Sequence, residues 1–146
     1  MQFKSKPISR EKINQEIRAY LKIRHDSQST LNKLPAIEKK YYTSSEIAFV
    51  FEKSDLEYLF EKYPHMDCLK AYYGAHVGES EMEDGTPTII LVPCKYESEN
   101  GQTKVVTLIK SDGDEAIEWP EGVPLADPSK TFENFDIIND DYIFHP

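Results

Sequence analysis

The sequence predicts an α+β fold, and three observations carry that expectation. Two segments in the first half repeat apolar residues with the 3.6-residue period of a helix. Three later segments have strand length and strand composition, and an Asn-Gly pair joins the last two. Helices therefore precede strands instead of alternating with them, which is the order of an α+β domain. The expected parts are an N-terminal helix, a short second helix, an antiparallel three- to four-stranded sheet in meander order, and an irregular acidic C-terminal segment.

The first helix is expected from Arg10 to Arg24. Ser9 can cap its first amides, and Glu11 sits in the first turn, where negative charge is favoured. Ile13, Ile17, Tyr20 and Leu21 fall at i, i+4, i+7 and i+8, one apolar stripe. Arg10, Lys12, Arg18 and Lys22 lie off that stripe. Asp26 to Thr30 reads as a polar break. Pro35 interrupts any helix spanning 31–40, and a weak strand is expected at Ile47–Phe51.

The second helix opens on Ser54 and Glu57, which have the spacing of a capping box. Leu56, Leu59, Phe60 and Tyr63 form its stripe, and Pro64 ends it. The strands are expected at Cys68–Gly74, Thr88–Tyr96 and Thr103–Ile109. Ile89–Val92 is apolar on both faces, so the second strand is central. Pro93 within it implies a bulge or a locally unpaired edge. Asn100-Gly101 takes positive φ at little cost and turns the chain between the last two strands. If Gly74 lies opposite Thr88 in an antiparallel register, Cys68 lies opposite Cys94; even so, free thiols are expected.

From Ser111 onward ten acidic residues face one Lys130, and Pro120, Pro124, Pro128 and Pro146 forbid long regular elements. Trp119, Phe132, Phe135, Ile138, Tyr142 and Phe144 are too many large side chains for a disordered acidic tail. Most of these anchors are expected to be buried. The 146 residues thus read as a single α+β domain, with 1–30 a basic helical arm and 111–146 an irregular acidic segment packed on the domain.

Charge bounds the partners. The net charge is −9, which argues against nucleic acid or an anionic membrane as the main partner. Residues 1–40 hold ten Lys/Arg against four Asp/Glu, whereas 41–146 hold seven against twenty-two. The first twelve residues contain no apolar signal core, and no run approaches the ~20 apolar residues that span a bilayer. With two cysteines, this reads as a cytoplasmic protein with free thiols. The charge asymmetry favours a monomer whose basic helix faces its own later chain. A homodimer joining a basic arm to an acidic surface is the second arrangement.

No phosphate-cradling glycine pattern, nucleophile elbow or Ser/His/Asp set appears, and no catalytic residue is assigned. His65, Asp67, Cys68 and His76 are spaced too loosely for zinc, and Glu79, Glu81, Glu83 and Asp84 lack the closing glutamate of a calcium loop. No cofactor or metal is expected. The leading functional expectation is a small protein-binding or adaptor protein, of the inhibitor or immunity type, that presents an acidic surface to a basic partner. Glu79, Glu81, Glu83, Asp84 and Trp119 are its candidate contacts. The alternative is a small-ligand binder or enzyme with an aromatic pocket of Tyr41, Tyr42, Tyr72, Tyr73 and His76, closed by the loop Ala75–Pro87. Tyr72, Tyr73 and His76 are its candidate ligand contacts.

Overall fold

The computed structural model describes residues 6–43, 46–78, 80–82, 84–118, 122–124 and 132–140. Helix α1 spans Arg10–Asp26, and the Ser9 side chain accepts the Lys12 amide at its start. After a single turn residue, Ser27, the chain re-enters a short helix α2 (Gln28–Leu31), so the expected polar break shrinks to a kink. Ser, Gln and Thr tolerate a helical turn when their side chains face water.

Pro35 begins a helix where the sequence reading had it interrupt one. Helix α3 covers Ala36–Thr43, and the Pro35 carbonyl accepts the Lys39 amide. The amide that proline lacks would have no intrahelical partner at that position anyway. Strand β1 (Glu46–Phe49) follows, then helix α4 (Lys53–Lys62). The capping box does not form: Glu52 is the N-cap, and Ser54 Oγ lies 3.5 Å from Glu52 Oε2. Moving the N-cap two residues earlier, from Ser54 to Glu52, places Ser54 inside the helix, where it cannot cap.

The main sheet has strand β2 (Cys68–Ala75), a long central β3 (Pro87–Glu99) and β4 (Gln102–Thr107), all antiparallel. A two-residue strand β5 (Ile117–Glu118) adds to β3 at Ile90 and Leu91, making four strands. Asn100 and Gly101 both have positive φ, 52° and 76°, as a tight hairpin turn requires. The β2–β3 register pairs Gly74 with Thr88 and Cys68 with Cys94, and both thiols are free.

Pro93 produces no bulge. It pairs with Leu69 in unbroken register, and its missing amide points toward the stretch where neither β4 nor β5 pairs with β3. Its carbonyl, on the same side, accepts the Leu108 amide. A second, two-stranded sheet joins β1 to β6 (Gly122–Pro124). No helix among the described residues is long and apolar enough to cross a membrane.

The basic flank of α1 meets the chain around Asp136. Arg10 donates to both Asp136 oxygens, at 2.7 and 3.3 Å, and Asn14 Nδ2 donates at 3.0 Å. Arg18 Nε donates to the Phe135 carbonyl at 2.7 Å, and Asn14 Oδ1 accepts the Ile137 amide. Lys22 and His25 lie against the Phe132 ring. The expected burial of the α1 stripe is only partly met: Ile13, Ile17 and Leu21 are half-buried, Tyr20 is exposed, and the buried residue is Asn14. Of the C-terminal anchors, Phe135 is buried and Phe132 half-buried, but Ile138 is exposed. Trp119, Tyr142 and Phe144 lie outside the described residues.

This clamp has a pH signature. The Arg10 guanidinium first, then the Ile138 amide and Asn14, hold the Asp136 carboxyl well below the usual carboxylate range. A depressed folded pKa means that the stabilisation is present above the unfolded value of ~3.9 and is lost as pH falls below it. Asp136→Asn is expected to lower the melting temperature at neutral pH and to flatten the fall in stability below about pH 4. Melting curves of both proteins from about pH 7 to about pH 2 measure this; a constant offset between them at every pH would refute it.

Candidate functional site

The helical layer and the main sheet leave a cleft of about 490 Å³ between them. Tyr20, Ile23 and Arg24 of α1, Leu31 of α2, Tyr41 and Tyr42 of α3, and Phe49 of β1 form the helical side. Tyr73 and the first residues of β3, Pro87 and Thr88, form the sheet side. The local sequence explains the convergence. Tyr20, Ile23, Arg24 and Ser27 recur at i, i+3, i+4 and i+7, which is one face of α1. The kink at Ser27 and the Pro35 start then bring α3 back across that face.

Tyr41 stands close to the other three tyrosines of the lining. Burial, followed by the phenols of Tyr42, Tyr20 and Tyr73, pushes the Tyr41 hydroxyl above its ordinary value. The Tyr41 and Tyr42 rings meet edge-on, with centroids 5.2 Å apart. Arg24 is the one formal charge among the lining residues, and its guanidinium lies 5.7 Å from the Tyr20 ring. Uncharged phenols around an apolar floor favour aromatic and apolar groups, with hydroxyls at the rim to orient them. Among the described residues that line it there is no carboxylate, imidazole or thiol.

The ligand residues expected from sequence divide between the two faces of the sheet. Tyr41, Tyr42 and Tyr73 reach the cleft. Tyr72 and His76 do not, because successive strand residues point to opposite faces. Tyr72 stacks under Lys70, whose Nζ is 5.8 Å from the ring. The His76 ring is buried, and its Nδ1 lies 3.4 Å from Glu118 Oε1, an electrostatic contact without hydrogen-bond geometry. Tyr20, Ile23 and Phe49 are cleft residues that the sequence reading missed. The helical spacing of Tyr20 to Arg24 was visible; what α3 would place opposite it was not.

The described residues of the loop between β2 and β3, 76–78, 80–82 and 84–86, do not line the cleft. The loop folds against α3, where Lys40 Nζ donates to the carbonyls of Glu81, Met82 and Asp84. Gly85 has φ +86°, and a Cβ there would stand 3.2 Å from the Ile37 side chain, so the chain needs glycine at this contact. Glu81 is exposed and Asp84 half-buried beside this anchor. Glu79, Glu83 and Trp119 lie outside the described residues. Among the described residues no group of three His, Cys, Asp or Glu side chains is placed to hold a metal ion. No protein-family model, curated protein or solved structure matches the chain.

Proposed function

We propose that this protein is a non-enzymatic binding module, cytoplasmic in location, that steers a basic protein partner by its net negative charge and anchors it in the tyrosine cleft. The observation that carries this reading is the convergence of Tyr20, Tyr41, Tyr42 and Tyr73 on one open cleft. Tyrosine supplies large contact area at low entropic cost and is enriched among the residues that dominate binding energy. The net charge of −9 acts at longer range, on encounter rate and partner selection more than on affinity. The acidic contacts expected at Glu79, Glu81, Glu83 and Asp84 belong to this steering role, and Trp119 is an expected aromatic anchor.

A second reading, a small-ligand site in the same cleft, is favoured by its size. A volume of about 490 Å³ falls within the ~300–1,000 Å³ usual for such sites.

One titration series tests both. The probes are a Lys/Arg-rich peptide carrying a single Phe and the anionic aromatic dye anilinonaphthalenesulfonate. Tyr42 is exposed, so Tyr42→Ser should leave the fold intact. It is expected to weaken the peptide tenfold or more, about 1.4 kcal/mol, and salt is expected to weaken binding further. An unchanged peptide affinity in Tyr42→Ser would sink the cleft as anchor. Peptide binding that ignored salt would sink the steering role. Dye binding that is lost in Tyr42→Ser, with no peptide binding, would select the second reading.

A further inference from the structure

We infer that the outer edge of β2 is a dimerisation surface, where β2 of a second copy adds antiparallel about a two-fold axis to join the two sheets. This inference is independent of what the cleft binds. Strand β2 ends the sheet order, and among the described residues nothing pairs with its outer side. The direction of its backbone groups follows from the β3 pairing. His76 N donates to Thr86 O, so the even-numbered residues of this ladder bond to β3. The Pro93 carbonyl bonds to Leu108 on the far side of β3, so its partner Leu69 is a non-hydrogen-bonded position. Leu69, Ala71, Tyr73 and Ala75 therefore direct both amide and carbonyl outward.

Proteins usually blunt such an edge with proline, a bulge or several charges. Over eight residues β2 has no proline, an unbroken register and one charge, Lys70. Ala71, Tyr72 and Ala75 are exposed, and Tyr73 is 87% exposed.

The occupant follows from the strand's own sequence. Antiparallel self-pairing centred on Tyr72 places hydrogen-bonding residues opposite one another, as the geometry requires. Leu69 then faces Ala75 of the second copy, Lys70 faces Gly74, and Ala71 faces Tyr73. In each of these three pairs a larger side chain meets a small one, the two lysines stay apart, and the Tyr72 rings meet at the axis as a cross-strand aromatic pair. Shifting the centre to Ala71 sets Leu69 against Tyr73, and shifting it to Tyr73 sets Lys70 against His76. The favoured register gives about eight interchain hydrogen bonds, two for each bonded pair. It is isologous and closes at two copies.

Sedimentation equilibrium and backbone amide exchange on the full chain, from low micromolar to near-millimolar concentration, test the proposal. The mass is expected to rise from 16.9 kDa toward twice that value. Added salt should strengthen association by screening the net charge of −9 on each copy. Over the same range the amides of Leu69, Ala71, Tyr73 and Ala75 should become protected, while those of Lys70, Tyr72 and Gly74, already bonded to β3, should not change. Ala71→Pro removes one outward amide and none that bonds β3; it should abolish the dimer and leave the circular dichroism spectrum unchanged. Ala71→Lys gives a second, gentler break. A monomer at every concentration would overturn the inference. So would a dimer in which the outward amides stay unprotected, or one that survives in both folded variants.

Discussion

Phe135→Ala is expected to destabilise the protein by ~3–5 kcal/mol, the cost of truncating a fully buried phenylalanine. At this chain length each kcal/mol moves the melting temperature by roughly 2–4 °C, so a fall of about 10 °C is expected. The size of the effect follows from how little else is buried. Among the described residues the buried apolar side chains are Leu59, Pro93, Cys94 and Phe135, and Phe135 is 1% exposed. The polar contacts around it are mostly at the surface: the Arg10–Asp136 pair is 55% and 24% exposed. Surface ion pairs contribute little, because water screens them and two long side chains must be ordered. Arg10→Ala should therefore cost much less than Phe135→Ala. The charges set where the segment docks, and the phenylalanine holds it there. Equal melting temperatures for Phe135→Ala and the parent would show that the segment is not part of the cooperative unit.

The parts of this fold legible in sequence are those in which local chemistry and tertiary context agree. Ser9 caps α1 because its neighbours have no competing use for it. Asn100-Gly101 turns the hairpin because few other pairs accept two positive φ angles. The facing cysteines follow from strand spacing only once Gly74 is set opposite Thr88; that starting register is an assumption in the sequence, and it is the one the structure has. Legibility fails where a residue has two local meanings. Proline breaks a helix from inside and begins one from its first turn, and the sequence around Pro35 does not say which. The cleft is half legible for a similar reason. Tyr41, Tyr42 and Tyr73, aromatic candidates from the sequence, all line the cleft. Tyr72 and His76 were grouped with them although strand alternation sends those two to the other face. Tyr20 was assigned to the buried stripe because helical spacing gives a face but not what covers it.

Helix α4 offers the clearest test of that last point, since its stripe was predicted whole and the structure divides it. Leu59 is fully buried, whereas its neighbour Phe60 is 49% exposed. Leu59→Ala is expected to cost ~2–5 kcal/mol, including the cavity left in a site that cannot collapse freely. Phe60→Ala should cost about 1 kcal/mol or less despite removing the larger side chain. Hydrophobicity and helix period alone rank them the other way. The polar side of α4 keeps the helix in place in both variants. The Tyr58 hydroxyl and Lys62 both engage Glu115, Lys62 also donates to the Gly113 carbonyl, and the Tyr63 hydroxyl accepts the Glu115 amide. Those contacts are shared, so the difference between the variants reports core burial. Urea unfolding measures it: the midpoint should fall sharply in Leu59→Ala with an unchanged slope, and hardly at all in Phe60→Ala. A larger loss in Phe60→Ala would mean that α4 docks on the face carrying Phe60, and that the exposed ring is covered in solution.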